Sequence, residues 1–147
     1  MALIKNKQIC SDGWPNLKTS ATSAGRVIVS HDEWLKNKDE LILSGKRLGL
    51  TLEADEKIDE FLHDIGKFSL IIINIASFAD GRAYSLAKTL RFTHQFKGEI
   101  RAIGDVLPDQ ALYLTRVGFD ALQLPDNKAA ELTLQTLAGF SAFYQPN

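Results

Sequence analysis

An aspartate follows each of five apolar segments of the chain, where a strand would pass into a helix. The junctions are Ser30-His31-Asp32, Glu53-Ala54-Asp55, Ser77-Phe78-Ala79-Asp80-Gly81-Arg82, Gly104-Asp105 and Pro125-Asp126-Asn127. Carboxylates gathered at one edge of a sheet could hold Mg²⁺ or supply a general acid and a general base. Aspartate is also a preferred helix cap, and a cap acts at each junction separately. We favour the cap for Asp32, Asp55 and Asp126, whereas both interpretations stay open for Asp80 and Asp105.

The third junction combines the groups that an anion site needs. Asp80-Gly81-Arg82 leads into a predicted helix, and Ser85 follows one turn later. Glycine lets a backbone approach a ligand closely, and a helix start offers free N–H groups at the positive end of its dipole. The planar guanidinium of Arg82 suits oxyanions. These residues, with Asp105, predict a site for phosphate, sulfate, sulfite or carboxylate. The competing interpretation is that Asp80 caps the helix while Arg82 pairs with a surface acid.

Four further residues are weaker candidates for the same site. His31 lies at the first junction, and Arg101 lies inside a predicted strand, where it either pairs with an acid or reaches the rim. Asp109 and Gln110 fall in the first turn of a predicted helix, where acidic residues are expected for structural reasons alone. None of these patterns assigns a catalytic residue.

Several motifs that are typical of cofactor and metal sites are absent from the sequence. No G-x-G-x-x-G follows a strand, no phosphate-binding loop is complete, and the single cysteine, Cys10, rules out a C-x-x-C pair. The histidines, His31, His63 and His94, do not have the spacing of zinc ligands. The sequence therefore identifies neither a cofactor nor a metal site.

The strands that would position these junctions are predicted from short apolar runs rich in β-branched residues, as in buried parallel strands. The runs are Val27 to Val29, Leu48 to Leu52, Leu70 to Ile75, Ile100 to Ile103 and Phe119 to Leu124, and Leu3 to Ile9 could add a short strand or hairpin arm.

Helical patterns fill the gaps between the runs. Ser30 and Glu33 have the spacing of a capping box. Pro108 suits the first turn of a helix that ends at Gly118. Two apolar stripes recur at i, i+3, i+4 and i+7, one formed by Ile58, Phe61, Leu62 and Ile65 and the other by Ala83, Leu86, Ala87 and Leu90, and a last helix carries Ala130, Leu134 and Leu137.

Alternating strands and helices predict a parallel sheet with right-handed crossovers. Our first prediction is a three-layer α/β/α sandwich with a mostly parallel sheet of about five strands, and the alternative is an open half-barrel of βα units. The third strand is placed at the centre, and the fourth or fifth, which carry Arg101 and Gln123, at an edge. Residues 1–25 are predicted to form an N-terminal appendage and linker anchored by Trp14, and residues 26–147 a single α/β domain.

Composition limits the partners and the compartment. The formal net charge of the 147-residue chain is -1, which gives no electrostatic support for binding nucleic acid or a membrane surface. The lone cysteine fits a reducing compartment, and no secretory signal or apolar run long enough for a membrane helix is evident. We expect a cytoplasmic protein.

Several segments carry a resemblance to a known family. They are Gly25 to Val29, Arg47 to Leu50, Phe78 to Ser85, Gly98 to Leu107 with Asp109 and Gln110, and Gly118 to Ala121. Together they resemble an uncharacterised bacterial family whose genes often neighbour those of assimilatory sulfite reductase, and whose members are commonly labelled probable oxidoreductases of sulfite reduction. Ala83 and Ser30 depart from the glycine and proline that are common there. The resemblance implies a place in sulfur assimilation and not a mechanism, because no cofactor motif or thiol pair supports redox chemistry.

Three functional expectations follow. The first is an accessory protein of assimilatory sulfite reduction that binds sulfite reductase or a small anion at the carboxyl rim of the sheet. The alternative is a small enzyme in which Asp80 and Asp105 act as acid, base or metal ligands while Arg82 holds an anionic substrate. The third is that the rim residues are only caps and salt bridges.

Overall fold

The computed structural model describes residues 2–6, 8–10, 25–77 and 79–144. Its strands are β1 (Ala2–Lys5), β2 (Gln8–Cys10), β3 (Arg26–Ser30), β4 (Arg47–Glu53), β5 (Phe68–Ile75), β6 (Glu99–Gly104) and β7 (Ala121–Leu124). Its helices are α1 (His31–Leu43), α2 (Arg82–Lys88), which continues as a π-helical segment over Thr89–Thr93, α3 (Ala111–Arg116) and α4 (Asn127–Tyr144). Short 3₁₀ segments cover Ile58–Glu60, Leu62–Lys67 and Pro108–Gln110. The predicted Trp14 anchor and the linker over 19–24 lie outside the described residues.

All seven strands form one sheet in the order β2-β1-β7-β6-β5-β4-β3. Strands β3 to β7 are parallel and lie in sequence order, while β1 pairs antiparallel with both β7 and β2. The α/β class and the mostly parallel sheet are therefore confirmed. The predicted number of strands is wrong, because the β1–β2 hairpin extends the sheet beyond β7.

The prediction of an edge position for β6 or β7 is also wrong, since β2 and β3 form the edges. Strand β6 accommodates a charged residue because neighbouring side chains neutralise it. Arg101 donates hydrogen bonds from Nε and Nη2 to Glu99 Oε2 at 3.0 and 2.8 Å, and Lys5 Nζ lies 2.6 Å from Glu99 Oε1. Arg101 and Glu99 are both buried.

The two faces of the sheet are packed differently. On one face, strand residues such as Leu50 and Ile73 join a large core to which all four helices contribute through Trp34, Ala87, Leu114 and Leu137. On the other face, Ile28, Leu70 and Ile72 form a small buried cluster with Ile103 against it. A sandwich needs helices on both faces, and among the described residues this layering is not confirmed.

The helical predictions have mixed outcomes. Ser30 caps α1, where its Oγ accepts a hydrogen bond from the Glu33 backbone N–H at 3.2 Å. The stripe on α2 is confirmed, because all four of its residues are buried. The predicted helix over 58–65 is wrong, since the chain there forms two 3₁₀ segments separated at Phe61, whose φ and ψ are -131° and 6°. Apolar residues three apart also share a face of a 3₁₀ turn, so the stripe did not distinguish the two. Within the described ranges, no helix has both the length and the apolar character needed to cross a lipid bilayer.

Arg91 lies in the π-helical segment after α2 and makes hydrogen bonds to the residues that precede β6 and β7. Its Nη1 donates to the carbonyls of Phe96 and Gly98 at 2.7 and 2.9 Å, and its Nε donates to the Gly118 carbonyl at 3.1 Å. Its Nη2 donates to the carboxylate of Asp120. Gly118 has φ +119°, and a Cβ there would lie 2.8 Å from Arg91 Cβ, so the chain turns closely past this arginine.

Candidate functional site

A cleft of about 520 Å³ lies between the segment that follows β4 and the first turns of α2. Its lining consists of Ala54, Glu56, Ile58, Gly81, Arg82, Ser85, Leu86 and Thr89. Three predicted site residues, Gly81, Arg82 and Ser85, therefore share one cavity at the carboxyl edge of the sheet. Strands β3 to β7 contain no reversal of order, so this cleft does not lie at a topological switch point of the parallel strands.

Asp80 holds the guanidinium of Arg82 at the mouth of this cleft. Arg82 Nε donates to Asp80 Oδ1 at 3.0 Å, Arg82 Nη2 donates to Oδ2 at 2.7 Å, and the Arg82 backbone N–H donates to Oδ1 at 3.0 Å. The side-chain hydrogen bonds from Arg82, and then its backbone N–H, lower the pKa of Asp80 to about 2. The Arg82 side chain is 65% exposed, and its Nη1 has no hydrogen-bond partner in the described part of the chain. The pair presents a fixed guanidinium with one N–H₂ group still available.

Gly81 lines the cleft without being required by the backbone. Its φ is -72°, and a Cβ built on it would have no atom within 4 Å. The close-approach argument therefore rests on free space at this position and not on a conformation that only glycine adopts.

Asp105 follows β6 and, like Asp80, is not itself part of the cleft lining. Its backbone N–H donates to the Ile75 carbonyl at 2.8 Å. Burial raises the pKa of Tyr84, and the nearby charge of Asp105 raises it further. Tyr84 packs edge-on against Tyr113 with ring centroids 5.2 Å apart. The structure thus groups Asp80 with the cleft residues and Asp105 with this tyrosine pair.

The weaker candidates lie outside the cleft lining. His31 is buried, with Nδ1 2.6 Å from Glu56 Oε2 and Nε2 3.2 Å from Glu60 Oε2, and its ring meets the Phe61 ring edge-on. Because Glu56 lines the cleft, His31 contacts a residue of the cleft wall without lining the cleft itself. Two other candidates, Asp109 and Gln110, lie in the 3₁₀ turn that precedes α3. Arg101 occupies the opposite face of the sheet with Glu99.

Only one of the three favoured aspartate caps is confirmed. Asp126 Oδ1 accepts a hydrogen bond from the Ala129 backbone N–H at 2.8 Å at the start of α4. The cap at Asp32 is wrong, because Ser30 occupies the capping position of α1. The cap at Asp55 is wrong as well, since the next helical segment begins after Lys57. Asp55 instead lies near enough to Arg82 to raise the pKa of the guanidinium slightly, after the larger effect of Asp80.

The sequence did not point to a second pocket, of about 270 Å³, at the carboxyl ends of β3 to β6. Its lining is Ile28, Val29, Ser30, Glu33, Thr51, Glu53, Asn74 and Ile103. Two of its residues, Ser30 and Glu53, belong to predicted junctions, whereas Thr51 and Asn74 lie within the strands. The alternation of side chains along β4 and β5 is the signal that could have added Thr51 and Asn74.

In the part of the chain that the structure describes, no three His, Cys, Asp or Glu side chains come together as metal ligands. Comparison with curated proteins gives no match to this chain. The model of the family described as "Bacterial protein of unknown function (DUF934)" matches residues 49–147, which include the whole lining of the Arg82 cleft. The chain therefore belongs to this family of bacterial proteins of unknown function.

Proposed function

We propose that this protein is an accessory protein of assimilatory sulfite reduction, and that it binds a small oxyanion in the cleft beside Arg82. One observation carries the proposal of an anion: Asp80 orients an exposed guanidinium, and no described residue accepts a hydrogen bond from either N–H of its Nη1. The sulfite context is supported by the resemblance of the segments around Asp80 and Asp105 to the family encoded beside sulfite reductase.

The remaining lining offers hydroxyl groups and one carboxylate, Glu56, whose Oε2 lies 2.6 Å from His31 Nδ1. Ser85 is exposed and supplies a hydroxyl one turn after Gly81, where no side chain obstructs an incoming group. Arginine binds oxyanions through parallel N–H···O bonds, which favours a planar or tetrahedral oxyanion over a halide. A cleft of about 520 Å³ exceeds the volume of sulfite alone. The oxyanion can therefore also be an acidic group of a larger partner, and sulfite reductase is the partner that we propose.

The enzyme alternative has less support from the geometry. With a pKa of about 2, Asp80 carries no proton near neutral pH and is a weak base. Both of its carboxylate oxygens already accept hydrogen bonds from Arg82, and Asp105 is not part of the cleft lining. Asp80 is better described as a positioning residue for Arg82.

Thermal unfolding in the presence of sulfite, sulfate or phosphate tests the proposal, with chloride at matched ionic strength as the reference. A ligand that binds only the folded chain stabilises it by about 2.7 kcal/mol at 100 times its Kd. We expect Arg82→Ala to abolish the rise in Tm. The matched control is Arg47→Ala, because Arg47 is exposed and lies at the opposite, amino end of a parallel strand.

The two parts of the proposal separate experimentally. If no oxyanion raises the Tm, or if Arg47→Ala removes the rise equally, the small-anion ligand is wrong. Co-sedimentation with purified sulfite reductase then tests the partner. Binding that survives Arg47→Ala but is lost in Arg82→Ala would support an acidic group of the reductase in the cleft, and no co-sedimentation would refute the accessory role.

A further inference from the structure

We infer that the second pocket, lined by Ser30, Glu33, Thr51, Glu53 and Asn74 between apolar walls, binds a small organic cation through its ammonium or guanidinium group. This pocket is distinct from the Arg82 cleft, because the two share no lining residue. The inference does not depend on the proposed function.

The fold brings the polar side chains of the pocket together from separate strands. Ser30 pairs with Thr51 across β3 and β4, and Glu53 pairs with Asn74 across β4 and β5. Parallel partners and residues two apart on a strand share a face, so these four side chains converge at one edge of the sheet. They lie on the face of Ile28 and Ile72, opposite the helices. The carboxyl end of a parallel sheet is also where ligands of α/β proteins bind.

The donors of the pocket are already used within it. The Ser30 hydroxyl donates to Glu33 Oε1 at 3.2 Å. The Asn74 amide Nδ2 donates to Glu53 Oε2 at 3.0 Å and to Oε1 at 3.3 Å. Among the described lining residues, only the Thr51 hydroxyl remains as a side-chain donor, whereas the carboxylates of Glu33 and Glu53 retain lone pairs that can accept further hydrogen bonds. A ligand that satisfies the pocket must therefore bring N–H or O–H donors.

The negative charge of the lining limits the expected ligands to cations. Two carboxylates line the pocket, and no Lys, Arg or His side chain lies in its described lining. A charged N–H donor makes shorter and stronger hydrogen bonds to a carboxylate than a neutral hydroxyl does.

The apolar walls favour an organic cation over a bare metal ion. Ile28 and Ile103, on the same face as the four polar side chains, contribute hydrocarbon surface, which a ligand with a short alkyl chain can cover and a hydrated ion cannot. The volume of about 270 Å³ also accommodates a molecule of several heavy atoms.

The test is an NMR titration of the full chain with propylammonium, which carries the proposed group on a short alkyl chain. We expect saturable shifts of the backbone amides of Thr51 and Asn74. Propan-1-ol serves as the neutral isostere, and NaCl and MgCl₂ at matched ionic strength serve as ion references. Glu53→Gln should weaken the apparent affinity about tenfold or more, because it removes the acceptor charge of one hydrogen bond.

Two variants keep the outcome interpretable. Glu33→Gln tests the second carboxylate if Glu53→Gln disturbs the spectrum beyond the pocket. Glu131→Gln is the matched control, since Glu131 is exposed on α4 and lies outside the pocket lining. Equal shifts with propan-1-ol, shifts with MgCl₂ only, or an equal loss of affinity in Glu131→Gln would each overturn the inference. Saturation by propylammonium that both pocket variants weaken and Glu131→Gln does not would support it.

Discussion

The Asp80 carboxylate accepts hydrogen bonds from both the side chain and the backbone N–H of Arg82, two residues later in the chain. Aspartate and arginine here form one local unit at the first turn of α2. The arrangement fixes the plane of the guanidinium before any ligand arrives. One consequence is a lowered pKa of the Asp80 carboxyl group, which can be measured.

We expect the carboxyl group of Asp80 to titrate with a pKa of about 2 in the folded protein. The folded-state pKa lies below the unfolded value of about 3.9, so the pair contributes its stability above about pH 4 and loses it as the pH falls toward 2. Carbon-detected NMR of the side-chain carboxyl measures this directly. In Arg82→Ala the pKa should return toward the ordinary value, whereas Arg47→Ala should leave it unchanged. A midpoint near pH 4 in the unsubstituted protein would contradict the pairing.

Arg91→Ala should destabilise the fold by about 2–3 kcal/mol, because several buried acceptors lose their donor at once. Three backbone carbonyls and the carboxylate of Asp120 depend on its guanidinium. Urea denaturation measures the change. Arg91→Lys should recover only part of the loss, since a single ammonium cannot reproduce the planar fork. The control is Arg47→Ala, whose side chain is exposed and should leave the urea midpoint nearly unchanged, and a similar loss in both alanine variants would argue against this role for Arg91.

Two glycines at the carboxyl edge should respond oppositely to alanine. Gly104 has φ +88°, and a Cβ there would lie 2.5 Å from both Asn74 Oδ1 and the Ile75 carbonyl oxygen. Gly104→Ala should therefore cost about 2 kcal/mol or more in unfolding free energy. Gly81→Ala should leave stability unchanged or raise it by about 0.4–1 kcal/mol, because its backbone suits alanine and the space is open. Urea denaturation distinguishes the two, and equal losses would refute the difference.

Asp64 should make the fold sensitive to acid. It is buried, with Lys38 Nζ 2.6 Å and Lys67 Nζ 2.8 Å from its oxygens. Burial, the largest single influence, raises its pKa, but the hydrogen bonds from Lys38 and Lys67 together lower it below the ordinary value. Stability from this group is present above about pH 4 and is lost as the pH falls.

Asp64→Asn should accordingly lower the unfolding free energy by about 1–3 kcal/mol near pH 7. The difference from the unsubstituted protein should shrink when the pH is lowered from 7 to about 2, because a larger fraction of the native carboxyl is protonated at the lower pH. Urea denaturation at the two pH values measures both quantities. A loss of the same size at both pH values would show that packing, and not charge, accounts for the role of Asp64.

Much of the fold follows from local sequence. The segment Leu70 to Ile73 of strand β5 reads as an unbroken apolar run because its side chains are buried on both faces of the sheet. The order of the strands could not be read in this way, since no local pattern states that β1 lies beside β7. The partners of Arg91 could not be predicted from local sequence either, because Gly118 and Asp120 lie 27 and 29 residues away along the chain.

The two candidate sites differ in the same respect, because one is formed largely by residues close in sequence and the other by residues on different strands. Gly81, Arg82 and Ser85 are neighbours in sequence, and a helical turn is enough to bring them together. The wall formed by Ala54 and Ile58 required the packing of α2 against the segment after β4. The second pocket depends on register, because Thr51 and Asn74 share a face only after β4 and β5 have paired. Sequence spacing contains no information on that register.

Because β1 pairs with β7, it cannot join the sheet until β7 has been synthesised. Strands β3 to β7 pair with their neighbours in chain order, so each new strand finds its partner already made. The β1–β2 hairpin precedes β3 to β7 in the chain, yet it has no place in the sheet until β7 exists. Ala2 and Ile4 must therefore wait for the β7 partner while the other strands are made, and exposed strand edges invite aggregation during that time.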